Sequence, residues 1–275
     1  MPATGNPWED QNAFCNDRLP RVEGLHRQMR SIPAAAQRAV MGFVVAMAFA
    51  VAPRTPALSD VPCAAEQPAR NAELYERLGL TGRLPVEVFE LCMAGREKLL
   101  EQGRVTKRDL LTIIDYSKPS TEERLFVLDL ETGVLRHTSL VAHGVGSGDQ
   151  IARLFSNRVA SRQSSLGFFT TGATYQGAHG YSLELEGLEP DINDRAMERR
   201  IVIHGADYVS AAFAAVHGRI GRSWGCPALP LEQAHGIIDT IKDGALLFAY
   251  ADDPSYLQQS KLLNLASSHA SSLRQ

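Results

Sequence analysis

The sequence predicts an α+β protein, a mainly β domain with a few packed helices, preceded by a small helical segment. Three observations carry that reading. From Leu111 onward the chain breaks into short apolar runs bounded by Gly, Asn, Asp and Pro, the pattern of strands and turns. Ahead of them, residues 70–111 carry leucines at helical spacing. The 275 residues are 44% hydrophobic, with 22 Gly and 14 Pro, enough to bury a full core with ordinary turn content.

In chain order, residues 1–59 read as an N-terminal extension and signal peptide. Ala39 to Ala52, AVMGFVVAMAFAVA, is an uncharged apolar run preceded by Arg27, Arg30 and Arg38. A membrane-spanning helix needs roughly 20 such residues, so a cleaved signal is expected rather than an anchor. Ala57-Leu58-Ser59 supplies small residues for cleavage after Ser59. Upstream, Glu9, Asp10, Asp17 and Glu23 are unlike the basic start of a signal, which places the working start at Met29. The expected protein is exported, periplasmic or otherwise associated with the cell envelope, and meets the membrane only through its signal peptide. Residues 60–69, with Pro62 and Pro68 following Pro53 and Pro56, form a linker.

The helical lead-in spans 70–111. Leu74 and Leu78 precede a break at Gly79-Leu-Thr-Gly82, and Pro85 suits the first turn of a helix running to about Gln102, closed by Gly103. Thr106-Lys-Arg-Asp109 reads as a capping box opening a further short helix. The β domain covers 112–251. Its strand candidates are LLTIIDY, RLFVLDL, VLRHTSLVA, LGFFTT, YSLELEG, RIVIH and ALLFAYA, with Glu131-Thr-Gly133 as a hairpin turn. Helical patterns interrupt them at 207–216 and 231–243, and 252–275 is a tail rich in Ser, Gln and Ala. His143-Gly-Val-Gly-Ser-Gly148 has neither the spacing nor the Lys of a phosphate loop and reads as a tight turn.

A net charge of −3, a pI near 6.2 and the lack of any Lys/Arg run exclude a nucleic-acid partner. After processing, Cys63, Cys92 and Cys226 remain, an odd number that leaves at least one free thiol. Cys92, within VFELCMAG, reads as a buried small hydrophobe; a disulfide with Cys63 stays open. No cofactor or metal is expected, because His143, His179, His204 and Cys226 lack the short spacing of zinc ligands.

The chemistry concentrates in Gly221-Arg-Ser-Trp-Gly-Cys-Pro-Ala-Leu-Pro230. Read as G-x-S-x-G it would be a serine elbow, which needs a strand before Ser223 and a helix after it. HGRIGR precedes Ser223 and two prolines follow it, so the elbow is rejected. Cys226 is the better nucleophile. It needs a base and backbone N–H groups for the oxyanion, and His204, at the end of the strand-like IVIH, can project into a groove as that base. Ser223, Gly225 and Gly205 become supporting or oxyanion positions. Asp207 or a backbone carbonyl would orient the imidazole.

Ile203-His-Gly-Ala206 and Ser223-Trp-Gly-Cys226 resemble the H-G and S-x-G-C signature of murein L,D-transpeptidases of the YkuD type. The likeness extends to a divergent branch ending in G-R-S-x-G-C-P-A, through TIIDYSKPS, DLETG, VAHG, FSN, SSLGFFTTG, YQGAHGYSLELEGLE, IND and IVIHGADYVS, over about residues 110–250. It implies a YkuD-like β-sandwich catalytic domain whose partners are peptidoglycan stem peptides. It further implies that Cys226 attacks the carbonyl of the third stem residue and expels the terminal D-amino acid, with His204 as base and then acid. An amine acceptor completes transpeptidation. Water would instead make the protein an L,D-carboxypeptidase or endopeptidase, and a decayed centre would leave a non-catalytic cell-wall-binding protein. The common branch has an arginine two positions after the cysteine; here Ala228 stands there. Arg222 is the replacement candidate for a substrate carboxylate, and Tyr175, His179, Ser165 and Asn157 are candidates for lining the groove.

Overall fold

The structure is a computed structural model and describes residues 67–263. The apolar run at 39–52, the cleavage site, Cys63 and the tail beyond 263 lie outside the described residues.

Two helices come first, α1 (Gln67–Arg77) and α2 (Val86–Glu101). Pro85 caps the start of α2, where its fixed φ suits the entry and its missing N–H costs nothing. Val88, Phe89, Cys92 and Leu99 fall at i, i+1, i+4 and i+11, on one side of the helix, and are buried, giving it one apolar stripe. Gly95 lies on that stripe because nothing larger fits: a Cβ there would sit 2.1 Å from the Phe168 ring. Cys92 is a free thiol, fully buried as a small hydrophobe.

Eight strands follow among the described residues: β1 (Lys107–Asp115), β2 (Leu125–Asp129), β3 (Val134–Ser139), β4 (Gly167–Gly177), β5 (Gly180–Gly187), β6 (Val202–Ala206), β7 (Ala228–Pro230) and β8 (Ala245–Tyr250). Helices α3 (Ala211–His217), α4 (Leu231–Ile241) and α5 (Pro254–Gln259) follow β6, β7 and β8 respectively. The strands form one sheet in the order β3-β2-β1-β8-β4-β5-β6-β7, with β1–β8 and β6–β7 parallel and the other pairs antiparallel. Ile113 and Ile114 of β1 and Leu246, Leu247 and Phe248 of β8 are buried, so the central strands read as continuous apolar runs covered on both faces. An antiparallel bridge from Ala142, just after β3, to Ala228 of β7 nearly joins the two ends of the sheet. The mainly β, α+β class is therefore as the sequence predicts, its layers belonging to one curled sheet.

The hairpin turn at Glu131-Thr-Gly133 is present: Asp129 pairs with Val134, and Asp129 Oδ1 accepts the Thr132 N–H at 2.9 Å. Three local readings need correction. Thr106-Lys-Arg-Asp109 does not open a helix, since Lys107 starts β1 and its N–H bonds to Gly244 O. Pairing with both β2 and β8 outweighs the capping signal, because the Leu and Ile residues that follow bury more surface in a sheet. The helix expected over 207–216 is α3, which starts only at Ala211, with Ser210 as its cap accepting the Phe213 N–H. Ala228–Pro230, absent from the strand candidates, is an edge strand. Pro230 is tolerated because, beyond the single bridge from Ala228 to Ala142, β7 pairs only with β6.

Candidate active site

The strand β7 and the sheet closure bring the cysteine segment beside β6. β6 and β7 run parallel with His204 opposite Ala228, and the His204 N–H reaches Pro227 O at 3.4 Å. Cys226 therefore lies against the start of β6, two residues before the register partner of His204. Its thiol donates to Arg200 O at 3.7 Å and receives the Val202 N–H. Burial pushes the thiol up from its ordinary range, while the Val202 N–H and the Arg199 guanidinium oppose the shift. No hydrogen bond joins Sγ to the imidazole, so the resting site holds a neutral thiol.

His204 is only 3% exposed. Its Nδ1 lies 2.9 Å from Gly205 O; a carbonyl can only accept, so Nδ1 carries the proton and Nε2 keeps its lone pair. Burial holds the ring down to about 4, the Gly205 carbonyl opposing and His179 adding to the effect. The orienting partner is thus a backbone carbonyl. Asp207 is exposed and makes no such bond. His179, at the tip of the β4–β5 hairpin, stacks on His204 with centroids 4.5 Å apart and planes 22° apart.

The segment before Cys226 is a closed loop. Ser223 Oγ donates to Cys226 O at 2.6 Å and accepts the Gly225 N–H at 3.1 Å, while the Ser223 N–H bonds to His143 O. Gly225 has φ +127°, and a Cβ there would meet Gln163 O at 2.8 Å, so only glycine fits beside the sulfur. Because its N–H is taken by Ser223, Gly225 supports the loop and does not offer an oxyanion donor. Gly205 likewise supports: its carbonyl orients His204, and a Cβ would press on Ala234 and Leu231 at 3.1 Å, so it lets α4 sit close to β6. No helix starts directly after Ser223, where β7 comes first, which removes the serine elbow.

Below the loop lies a buried cation. Arg124, fully buried, donates to Val141 O and Lys118 O, and its Nη2 lies 2.9 Å from His143 Nδ1. A guanidinium only donates, so His143 Nδ1 accepts, and burial together with that neighbouring positive charge holds the ring down to about 4. His143 is thus occupied by Arg124. Among the described residues no three His, Cys, Asp or Glu side chains converge as a metal site would need.

The other candidates divide. Tyr175, 43% exposed, lines a cavity of about 270 Å³ beside Arg200 and Val202, the residues that touch the sulfur. Ser165 is buried behind the loop, bonded to Ser156 O and to Arg199. Asn157 bonds to Asp194 and the Arg195 N–H and is not brought to Cys226. Arg222 is not brought there either: it donates to Gly148 O at 2.7 Å and pairs at 3.3 Å with Asp149, a carboxylate it shares with Arg219, which ties it to a neighbouring turn. The cations near Cys226 are ones the sequence reading passed over. Arg199 ties Ser156, Ser161, Gln163 and Ser165 into one clamp behind Gly225. Arg162 covers the Trp224 ring at 4.3 Å. The visible signal was the Arg199-Arg200 pair immediately before IVIH.

Residues 81–250 match the family model of the L,D-transpeptidase catalytic domain. No curated protein matches. Solved structures that resemble the chain include an L,D-transpeptidase from Mycobacterium smegmatis (13% identity over 52% of this chain and 59% of that one, TM-score 0.33). Another is L,D-transpeptidase 3 from Mycobacterium tuberculosis in complex with a faropenem-derived adduct (15%, 51% and 60%, TM-score 0.32). A third is an L,D-transpeptidase from Xylanimonas cellulosilytica (14%, 56% and 68%, TM-score 0.29). The chain spans about three fifths of the length of the first of these.

Proposed function

The chain belongs to the L,D-transpeptidase catalytic-domain family, and from that premise we propose that it is an exported, cysteine-dependent peptidoglycan L,D-transpeptidase. The observation that carries the reading is the placement of Cys226, two residues ahead of β7, beside His204 on the parallel neighbour β6, with the His204 Nε2 lone pair free. The apolar segment at 39–52 supports export.

In the proposed reaction a stem peptide enters beside β6 and the thiol turns from Arg200 O toward the imidazole. Nε2 takes the S–H proton as sulfur attacks the carbonyl carbon of the third stem residue. The C–N bond to the terminal D-amino acid breaks, and the leaving amine takes the proton from His204. An acceptor amine then attacks the thioester, passes a proton through His204 to the sulfur and leaves as the new amide. Water at this step gives carboxypeptidase action from the same intermediate. Ser223 occupies the Gly225 N–H and Pro227 has none, so the Cys226 N–H is the backbone donor closest to the developing oxyanion.

Incubation with a carbapenem, followed by intact-mass measurement, tests the reading. A single adduct is expected on wild type and none on Cys226→Ala; an adduct that persists in the variant sinks the assignment. Defined tetrapeptide muropeptides with and without an amine acceptor then separate transfer from hydrolysis by product mass.

A further inference from the structure

We infer that Glu189 is a positioning residue for Cys226, locked by residues 254–263, which lie beyond the matched catalytic domain. The inference rests on the transpeptidase reading for the reaction it serves, and on geometry for the coupling itself.

Glu189 stands two residues after β5 and is 3% exposed. Its carboxylate accepts three hydrogen bonds, from the Phe168 N–H at 2.9 Å, the Tyr256 hydroxyl at 3.1 Å and the Ser260 hydroxyl. Tyr256 belongs to α5 and Ser260 closes it, so two of the three donors come from the C-terminal segment. All three donors are neutral. Burying an acid among neutral groups is costly, and apolar packing alone would fasten the segment with less desolvation. What directional hydrogen bonds add is a fixed orientation for the residue that receives them.

That residue anchors a turn with no slack. Glu189 O accepts the N–H groups of Ile192, Asn193 and Asp194, while Asn193 Oδ1 accepts the Glu189 N–H at 2.9 Å. Asn193 Nδ2 donates to Leu166 O and Phe168 O, which ties the turn to the start of β4. The Ala196 N–H then reaches Asn193 O, and the Ile201 N–H reaches Ala196 O, both at 2.9 Å. Arg200 is thereby delivered at φ +54°, a conformation uncommon for a residue with a side chain and held by its surroundings. Its carbonyl accepts the Cys226 thiol, and the adjacent Arg199 guanidinium bonds to Gln163 O and Ser165 Oγ behind Gly225. One turn therefore fixes the Cys226 loop both at the sulfur and behind Gly225, and a contiguous chain of contacts runs to it from the C-terminal segment.

Full-length variants test the coupling through two reactions of Cys226. Carbapenem acylation, read by intact mass, needs the thiol in its working geometry; iodoacetamide alkylation, read by peptide mapping, needs only that the sulfur be reached. Glu189→Leu removes the acceptor of all three hydrogen bonds. Well below its thermal midpoint it is expected to slow acylation at least tenfold and to speed alkylation at least threefold. Glu189→Gln keeps an acceptor for Phe168 and Tyr256 and can donate to Ser260 Oγ, so it is expected to bring both rates back near wild type. Leu128→Ala, a buried change on β2 away from the turn, is expected to lower the thermal midpoint and leave both rates unchanged. Should Glu189→Leu fail to fold, Tyr256→Phe combined with Ser260→Ala decides. This pair removes two donors and keeps the packing, and is expected to move both rates in the same directions at least threefold. Wild-type rates in Glu189→Leu or in that pair, or an equal loss of acylation in Leu128→Ala, overturn the inference. Failure of the transpeptidase reading shows separately, as a wild type that takes no carbapenem; the alkylation rates then decide the coupling alone.

Discussion

Acidification is expected to unfold this domain chiefly through two histidines. His143 and His204 are 1% and 3% exposed, and each is held at about 4, against an ordinary value of 6.5. A proton on His143 would set one cation against another, since Arg124 already donates to its Nδ1. In His204 it would charge a ring buried under His179. The unfolded chain binds these protons below pH 6.5 and the folded chain does not until about pH 4, so stability is complete above 6.5 and falls as the pH drops through that window. At 1.36 kcal/mol per unit, each ring accounts for roughly 3 kcal/mol, and the pair is comparable with the 5–15 kcal/mol that holds a typical domain together. Asp115 and Glu189, whose carboxyls burial pushes up, act with the opposite sign, so a variant comparison is needed. Urea midpoints by circular dichroism at pH 7, 6, 5 and 4 provide it. His204→Gln is expected to lose stability about half as steeply as wild type between 6.5 and 4. Parallel curves for the two proteins would refute the argument.

The raised Cys226 thiol and the neutral imidazole predict that iodoacetamide alkylation of the resting protein speeds up with pH to beyond 9, rather than levelling near neutrality as an ion-paired thiolate would; the rate profile by mass spectrometry checks this. Gly225→Ala is expected to lower carbapenem acylation at least a hundredfold at a stability cost of about 1–3 kcal/mol, since the methyl group must displace Gln163 O and adopt φ +127°. Gly95→Ala is expected to cost about 1–3 kcal/mol by thermal unfolding, because its methyl group meets the Phe168 ring, which is itself stacked on Phe248 at 4.4 Å; near-wild-type stability would show that α2 can back away from the sheet.

The residues of the site were legible to different degrees for a common reason. Cys226 and His204 stand out because few residue types carry nucleophile and base chemistry, and the glycines and serine beside them leave a local pattern. Arg222 stood next in that pattern, yet its charge is answered by Asp149, more than seventy residues earlier in the chain. Arg199 and Arg200 are adjacent and chemically alike in sequence, but one is a half-buried clamp and the other an exposed cation, a difference set by the turn that sends them apart.

By itself, then, the sequence determined the strand-rich class, the β2–β3 hairpin and the helix after Pro85, and it singled out the proposed nucleophile and base, Cys226 and His204. These depend on periodicity, turn residues and side-chain identity, all of which act over a few neighbours. Tertiary structure alone decided that Thr106 introduces a strand, that Ala228–Pro230 completes a sheet edge, and that a Gly205 carbonyl rather than Asp207 orients the imidazole. Those outcomes depend on hydrogen-bond partners and charges supplied from distant parts of the chain, and nothing local encodes which partner arrives.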